Sequence, residues 1–205
     1  MSKLCGKIPA AAFLLSALML SAAEKPLPTA SELLLERARQ GNAQAQLQLG
    51  YTYYKLNNHV QAAYWFDAAA RQGVPEAAYN LARCCMTGIG VEKDLHRAYR
   101  LLKQASQSQL PQAQLLLAEL YFSGIDAVVE STPPRPAIAP DEKNGRQLLE
   151  KLIKSGNRDA AVTYAGYLIK KHPEKEKQRI IELLKSAAVP GNTAAEYEAG
   201  GNRIW

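Results

Sequence analysis

Apolar residues return every three or four positions through most of this chain, the interval at which side chains share one face of an α-helix. The pattern is clearest from Pro75 to Gln107. Ala78, Leu81, Ala82 and Cys85 form one such face, and Ala98, Leu101, Leu102 and Ala105 form a second. Gly88 and Gly90 interrupt the period between them, where a chain reversal calls for positive φ that glycine takes without a Cβ clash. Ala82 and Ala98 are expected to face each other and let the two helix backbones approach closely. A lone hairpin of this kind leaves an apolar face uncovered, so it needs neighbours of its own kind.

The same spacing recurs along the chain. Leu81, Ala82 and Cys85 match Leu49, Gly50 and Tyr53 before them, then Leu117, Ala118 and Tyr121, then Tyr164, Ala165 and Leu168. Ala98, Leu102 and Ala105 match Ala62, Phe66 and Ala69, then Gly145, Leu149 and Leu152, and more loosely Ile180, Leu184 and Ala187. The step from Leu49 to Leu81 is 32 residues and that from Leu81 to Leu117 is 36. The first repeat lacks a turn equivalent to Gly88-Ile89-Gly90-Val91, and length changes confined to turns are what stacked hairpins tolerate.

The run LARCCMTGIGVEKDLHRAYRLLKQAS resembles a Sel-1-like repeat, a subclass of the tetratricopeptide-type helical repeats. Its marks are Gly88, Gly90, Val91, Asp94, Ala98, Leu102 and Ala105. The first repeat is closer to plain tetratricopeptide spacing, the third keeps Leu117, Ala118, Tyr121 and Gly124 without the turn, and the fourth is degenerate. The resemblance covers roughly Ser31 to Ala199. It implies an all-α fold, an α-solenoid of about four antiparallel helix hairpins in a right-handed superhelix, and a generic binding scaffold instead of a particular activity.

The chain in order then divides as follows. Lys3 and Lys7 precede an apolar run from Ala10 to Leu20, and Ser21-Ala22-Ala23 offers small residues to a signal peptidase, so residues 1–23 are expected to be a leader cleaved after Ala23. Cys5 lies before the apolar run, which disfavours a lipid-anchored cysteine, and the run is short for a membrane span. The expected location is the periplasm, with secretion as the alternative and no stable membrane anchor after cleavage. Residues 24–30 read as a linker and 31–41 as a capping helix with Ser31 as its N-cap. Repeats follow at about 43–73, 75–109, 111–156 and 158–190. Residues 192–199 read as a terminal helix and 200–205 as a tail. The third repeat holds an insertion, 125–140, with Pro133, Pro134, Pro136 and Pro140. Those prolines exclude a continuous helix and favour extended backbone. The insertion is either a recognition loop built on Pro133-Pro134-Arg135-Pro136 or, the preferred reading, a disordered addition in a tolerant turn.

Composition narrows the partners. The formal net charge is +6, of which the leader carries two lysines and no acid. The remaining charges are interspersed, as in Glu174-Lys175-Glu176-Lys177, so no phosphate-binding stripe forms and nucleic acid is not an expected partner. A chain with 47% apolar residues can bury a continuous helical core.

Chemistry is sparse. Beyond the leader the cysteines are Cys84 and Cys85, adjacent on one helix, where they cannot easily pair. Cys85 reads as packing and Cys84 as the candidate free thiol. His59, His96 and His172 fall in different repeats with no second ligand at helical spacing, so they read as surface histidines and no metal site is expected. No G-x-S-x-G, S-x-x-K, H-E-x-x-H or phosphate-loop motif occurs, no cofactor is implied, and no enzyme is expected. The alternatives are a hydrolase, since some relatives of these repeats carry a β-lactamase label, and a structural or regulatory envelope assembly factor.

What remains is surface. In helical-hairpin stacks the first helices line the concave side, which places Tyr51, Tyr54, Tyr79, Arg83, Met86, Glu119 and Phe122 there, together with Leu47 and Leu115. Aromatic residues, Met and Arg are the types enriched at binding hot spots. The expected function is a non-catalytic scaffold that takes a peptide or protein segment on this face. The competing reading is that these side chains fill seams between neighbouring helices.

Overall fold

Helix after helix of nearly equal length is what a repeat needs if its hairpins are to stack flush. The computed structural model describes residues 29–127 and 135–188, and every statement below concerns those residues. The expected leader, the terminal helix 192–199 and the tail lie outside them. Among the described residues nine helices follow in order: α1 Ala30–Arg39, α2 Ala43–Lys55, α3 His59–Arg71, α4 Pro75–Thr87, α5 Leu95–Gln107, α6 Pro111–Ser123, α7 Glu142–Lys154, α8 Arg158–Lys171 and α9 Lys177–Ala187. Helices α2 to α7 are each 13 residues long, about 20 Å.

The starts of these helices follow from their caps. The Asn42, Asn58, Asp94, Asp141 and Asn157 side chains accept from the backbone N–H three residues on. Such a cap satisfies a donor the helix cannot, worth about 1 kcal/mol each. Pro75 and Pro111 instead open α4 and α6, where a missing N–H costs nothing. The first helix corrects the sequence reading. Thr29, not Ser31, accepts from the Glu32 N–H at 3.2 Å, while the Glu32 carboxylate accepts from the Thr29 N–H at 2.7 Å. This is a reciprocal capping box, spelled T-x-x-E.

The chain divides into two units, Met1–Leu33 and Leu34–Trp205. Within the second, α2 packs on α3, α4 on α5, α6 on α7 and α8 on α9, and each second helix also packs on the next first helix. First helices touch across hairpins as well, α2 with α4 and α6 with α8. Such contacts curve a stack toward its first helices. This is the α-solenoid of four helix hairpins the spacing predicts.

Three clusters form the core. Ala38 of α1 joins Ala45, Leu49 and Trp65, with Leu34 and Leu35 against them, which is the packing expected of a capping helix. The largest cluster runs through the first two hairpins to Leu117 and Leu120 of α6, and includes Phe66, Leu81, Cys85 and Leu102. The last gathers Phe122, Leu149, Tyr164, Leu168 and Leu184. Ala82, Ala98 and Ala105 are fully buried, so the small residues are those on which helices close. The same need appears twice with unequal partners. A Cβ on Gly50 would overlap the Phe66 ring, and one on Gly145 would lie 2.7 Å from Phe122.

The two buried glutamines are both hydrogen-bonded. Gln46 Nε2 donates to the Ala38 carbonyl at 3.0 Å, and Gln46 Oε1 accepts from Gln72 at 2.7 Å. Gln114 Nε2 donates to the Ser106 carbonyl at 3.2 Å. Each glutamine sits three residues before its repeat's leucine, Leu49 or Leu117, and each donates to a carbonyl near the end of the preceding helix, Ala38 of α1 or Ser106 of α5.

The turns bear out the glycine reading at Gly90, whose φ is +77 and where a Cβ would collide with the His59 carbonyl at the head of α3. The insertion differs from the expectation of a disordered loop. Ile125 and Ile138 exchange both backbone hydrogen bonds, at 2.8 and 2.7 Å, and the Asp141 N–H donates to the Tyr121 carbonyl at 2.6 Å. His96, read from sequence as a surface residue, is buried, and its Nε2 lies 3.1 Å from the Asp126 carbonyl, so that nitrogen carries the proton. Arg135 reaches back to Asp94 at 2.6 Å. The base of the insertion is therefore a strap tied to the second hairpin. The part of it within 128–134, Pro133 and Pro134 included, lies outside the described residues.

Candidate interaction face

Counting two residues on from each first-helix anchor gives Tyr51, Arg83, Glu119 and Gly166; five residues on gives Tyr54, Met86, Phe122 and Ile169. These positions run across the first-helix side of the stack. The sequence-derived set falls on two separate seams of that side, one between α2 and α4 and one between α6 and α8.

At the first seam Tyr51 and Tyr54 are 40% and 38% exposed, large values for aromatic residues in a helical core. Tyr51 rests edge-on against the buried Phe66, with ring centres 5.5 Å apart, and its hydroxyl accepts from Asn80 Nδ2 at 3.0 Å. Tyr54 meets His59 edge-on at 5.1 Å. The Arg83 guanidinium lies 5.8 Å from the Tyr79 ring centre, in cation–π range. Tyr79 is half-buried, and Met86 packs half-buried against the main core. A shallow depression of about 50 Å³ opens between Tyr54, Asn80, Arg83, Cys84, Thr87 and Ile89. Among the described residues the seam is a shallow aromatic surface.

The second seam opens. Phe122 is only 9% exposed and stacks on Tyr167, ring centres 3.8 Å apart and planes 12° from parallel. It is a wall, not a projecting anchor. Beside it lies a cleft of about 650 Å³ lined by Glu119, Phe122, Ser123, Pro140, Thr163, Gly166, Tyr167, Lys170 and Lys171. That is within the range of ligand sites. Of its lining only Glu119 and Phe122 were picked out from sequence. Gly166 at the shared register was the available signal, since a glycine within a helix has no propensity reason to be there.

The electrostatics of this seam follow from burial. Burial pushes the Glu119 carboxyl up, although much of the residue's surface remains exposed at the mouth. Burial, and then the Glu142 carboxylate, push Tyr167 up to about 12. The Tyr167 hydroxyl stands near that carboxylate without reaching hydrogen-bond geometry. Its proximity, with Arg146, holds Glu142 below the usual carboxylate range against burial.

Cys84 and Cys85 are both buried free thiols. Burial pushes each up, the opposite of an activated thiolate, so Cys84, the candidate free thiol of the sequence, is free but not activated. Among the described residues no three or more His, Cys, Asp and Glu side chains gather where a metal could bind, and no helix is long and apolar enough to cross a membrane.

Comparison with known proteins agrees with the repeat. The Sel1 repeat pattern matches residues 43–74, 75–109 and 111–132. Chitin synthase regulatory factor 3 of Schizosaccharomyces pombe is 27% identical over 144 residues, covering 66% of this chain and 14% of that protein. Protein sel-1 homolog 2 of Mus musculus is 37% identical over 90 residues, 42% of this chain and 13% of that one. The ERAD-associated E3 ubiquitin-protein ligase component HRD3 of Candida glabrata is 29% identical over 115 residues, 48% and 14%. The chain thus spans a small part of the curated relatives it matches. Among solved structures, c5321, a protective antigen of uropathogenic Escherichia coli with an SLR fold, superposes with a TM-score of 0.69 at 24% identity, covering 83% of this chain and 35% of that one. A Sel1 repeat protein from Oxalobacter formigenes gives 0.59 at 27% identity, 82% and 47%.

Proposed function

Because this chain belongs to the Sel1-repeat proteins, we propose that it is a non-catalytic interaction scaffold that holds a segment of a protein partner on the first-helix face. The observation that carries the reading is the pair of exposed tyrosines beside Arg83, Tyr51 packed on Phe66 and bonded to Asn80, and Tyr54 packed on His59. Aromatic side chains already held by packing lose little entropy on binding, which is why they make good anchors. Named relatives that match part of this chain, a chitin synthase regulatory factor and a ubiquitin-ligase component, support a role exerted through other proteins. The N-terminal pattern of Lys3, Lys7, the apolar run and Ser21-Ala22-Ala23 supports export, so the proposed place of action is the periplasm.

A photo-crosslinking residue placed at Tyr54, with another at the exposed Tyr64 of α3 as control, tests this. Envelope extract is expected to give discrete adducts at position 54 that vanish in competition with unlabelled protein. Equal adducts at position 64, or adducts unaffected by Arg83→Ala, would sink the reading.

A further inference from the structure

The second seam differs from the first in having depth, and its lining has a chemical bias. Lys170 and Lys171, in the last turn of α8, line the cleft, and neither makes an ion pair among the described residues. The lysines favour their own helix C-terminus, but a helix end offers only partial charge and leaves the ammonium groups able to meet a carboxylate. Beside them Tyr167, backed by the stacked ring of the buried Phe122, supplies the aromatic part of the lining. Gly166 leaves the floor open, since a Cβ there would meet nothing within 4 Å. The one acid in the lining, Glu119, is at the mouth, and Lys171 shares its field with Glu142 outside the cleft.

We infer that this cleft takes an extended peptide segment carrying a phenylalanine- or leucine-like side chain flanked by acidic residues. The apolar side chain lies against the Phe122–Tyr167 stack over Gly166, and the flanking carboxylates meet Lys170 and Lys171. The inference rests on the scaffold reading and names the chemistry of its partner at a site apart from Tyr51, Tyr54 and Arg83.

The probe is a fluorescein-labelled peptide with Glu-Phe-Glu between glycines, followed by fluorescence anisotropy with the full chain. Peptides with Lys-Phe-Lys and Glu-Ser-Glu in the same frame are the controls. The Glu-Phe-Glu peptide is expected to bind at least tenfold more tightly than either and to weaken as salt is raised, as charge attraction requires. Lys170→Glu with Lys171→Glu is expected to weaken it tenfold or more and to favour the Lys-Phe-Lys peptide. Gly166→Leu fills open space on a helix that gains propensity by losing a glycine, so it is expected to abolish binding while circular dichroism and the urea midpoint are kept. Binding that survives Gly166→Leu, or that ignores peptide charge, would overturn the inference. So would self-association of the chain through this cleft, seen as a sedimentation shift removed by Gly166→Leu with no peptide bound. Failure here with position-54 adducts intact would leave the scaffold reading standing, and loss of those adducts would count against that reading alone.

Discussion

The first and third hairpins solve one packing problem with the partners exchanged. In the first, Gly50 on the first helix lies under Phe66 on the second; in the third, Phe122 on the first helix lies over Gly145 on the second. A small residue against a ring brings two helices together in either order, so the fold is indifferent to the exchange. The surface is not. Phe66 is 1% exposed and the first helix presents tyrosines above it, whereas Phe122 on the first helix becomes the wall of an open cleft. Where the large residue sits decides whether a seam is flat or hollow.

Deleting each ring is the strongest way to break this comparison. Phe66→Ala is expected to cost about 3–5 kcal/mol, the range for an aromatic ring removed from a closed core. Phe122→Ala is expected to fall at the lower end, since its site opens to solvent and a water-filled cleft replaces a dry cavity. Urea denaturation of the two variants checks the order; equal losses, or the reverse, would show that the two sites are alike in closure.

Overfilling tests the same contrast from the other side. Gly50→Ala drives a methyl into a ring with no room to retreat, and about 2–3 kcal/mol is expected from the usual cost of overpacking. Gly145→Ala meets Phe122 at 2.7 Å, but that ring can shift toward the cleft, so about 1 kcal/mol or less is expected. Restoring space with Phe66→Leu in the Gly50→Ala background is expected to recover part of the loss. Additive losses in the double variant would argue that the two positions do not share one space.

The architecture was legible because it is written locally. Helical spacing, Pro75 and Pro111 at helix starts and glycine at Gly88 and Gly90 all act within one turn of the residue that carries them. What escaped is long-range. His96 looks like a turn histidine until the carbonyl of Asp126, thirty residues away, is set against it. Arg135 looks like part of a proline-rich ligand until Asp94 is within reach. The candidate face divided for the same reason. Tyr54 and Arg83 line one depression, and Tyr51 reaches Asn80, because neighbouring first helices share a register, which spacing reveals. The depth beside Phe122 depends on α8 supplying Gly166 and Tyr167 at one position each, which spacing lists without ranking. Thr29 was missed for a smaller cause, since Ser31 is an equally good cap and only the reciprocal Glu32 contact separates them.

The gentlest test sharpens the comparison at the helix caps. Asn58, Asp94 and Asp141 occupy one position at the start of α3, α5 and α7, each capping its helix. Asp94 alone also holds Arg135 of the strap. Burial works against its charge, but the Arg97 N–H and the Arg135 guanidinium outweigh it and hold the Asp94 carboxyl below its ordinary range. A group whose folded value lies below its unfolded value stabilises the fold above the unfolded value, about 3.9 for aspartate, and that stabilisation is lost as pH falls through the folded value. Asp94→Asn converts this cap to the kind found in the first hairpin and removes the ion pair. The cost at pH 7 is expected to be below about 1 kcal/mol, since asparagine caps as well as aspartate and a partly exposed pair contributes little. The gap between wild type and variant is then expected to narrow toward zero as pH is taken below about 3.9. A gap that stays constant through acid would mean that Asp94 acts as a cap alone and that the strap is held by Ile125 and Ile138 without it.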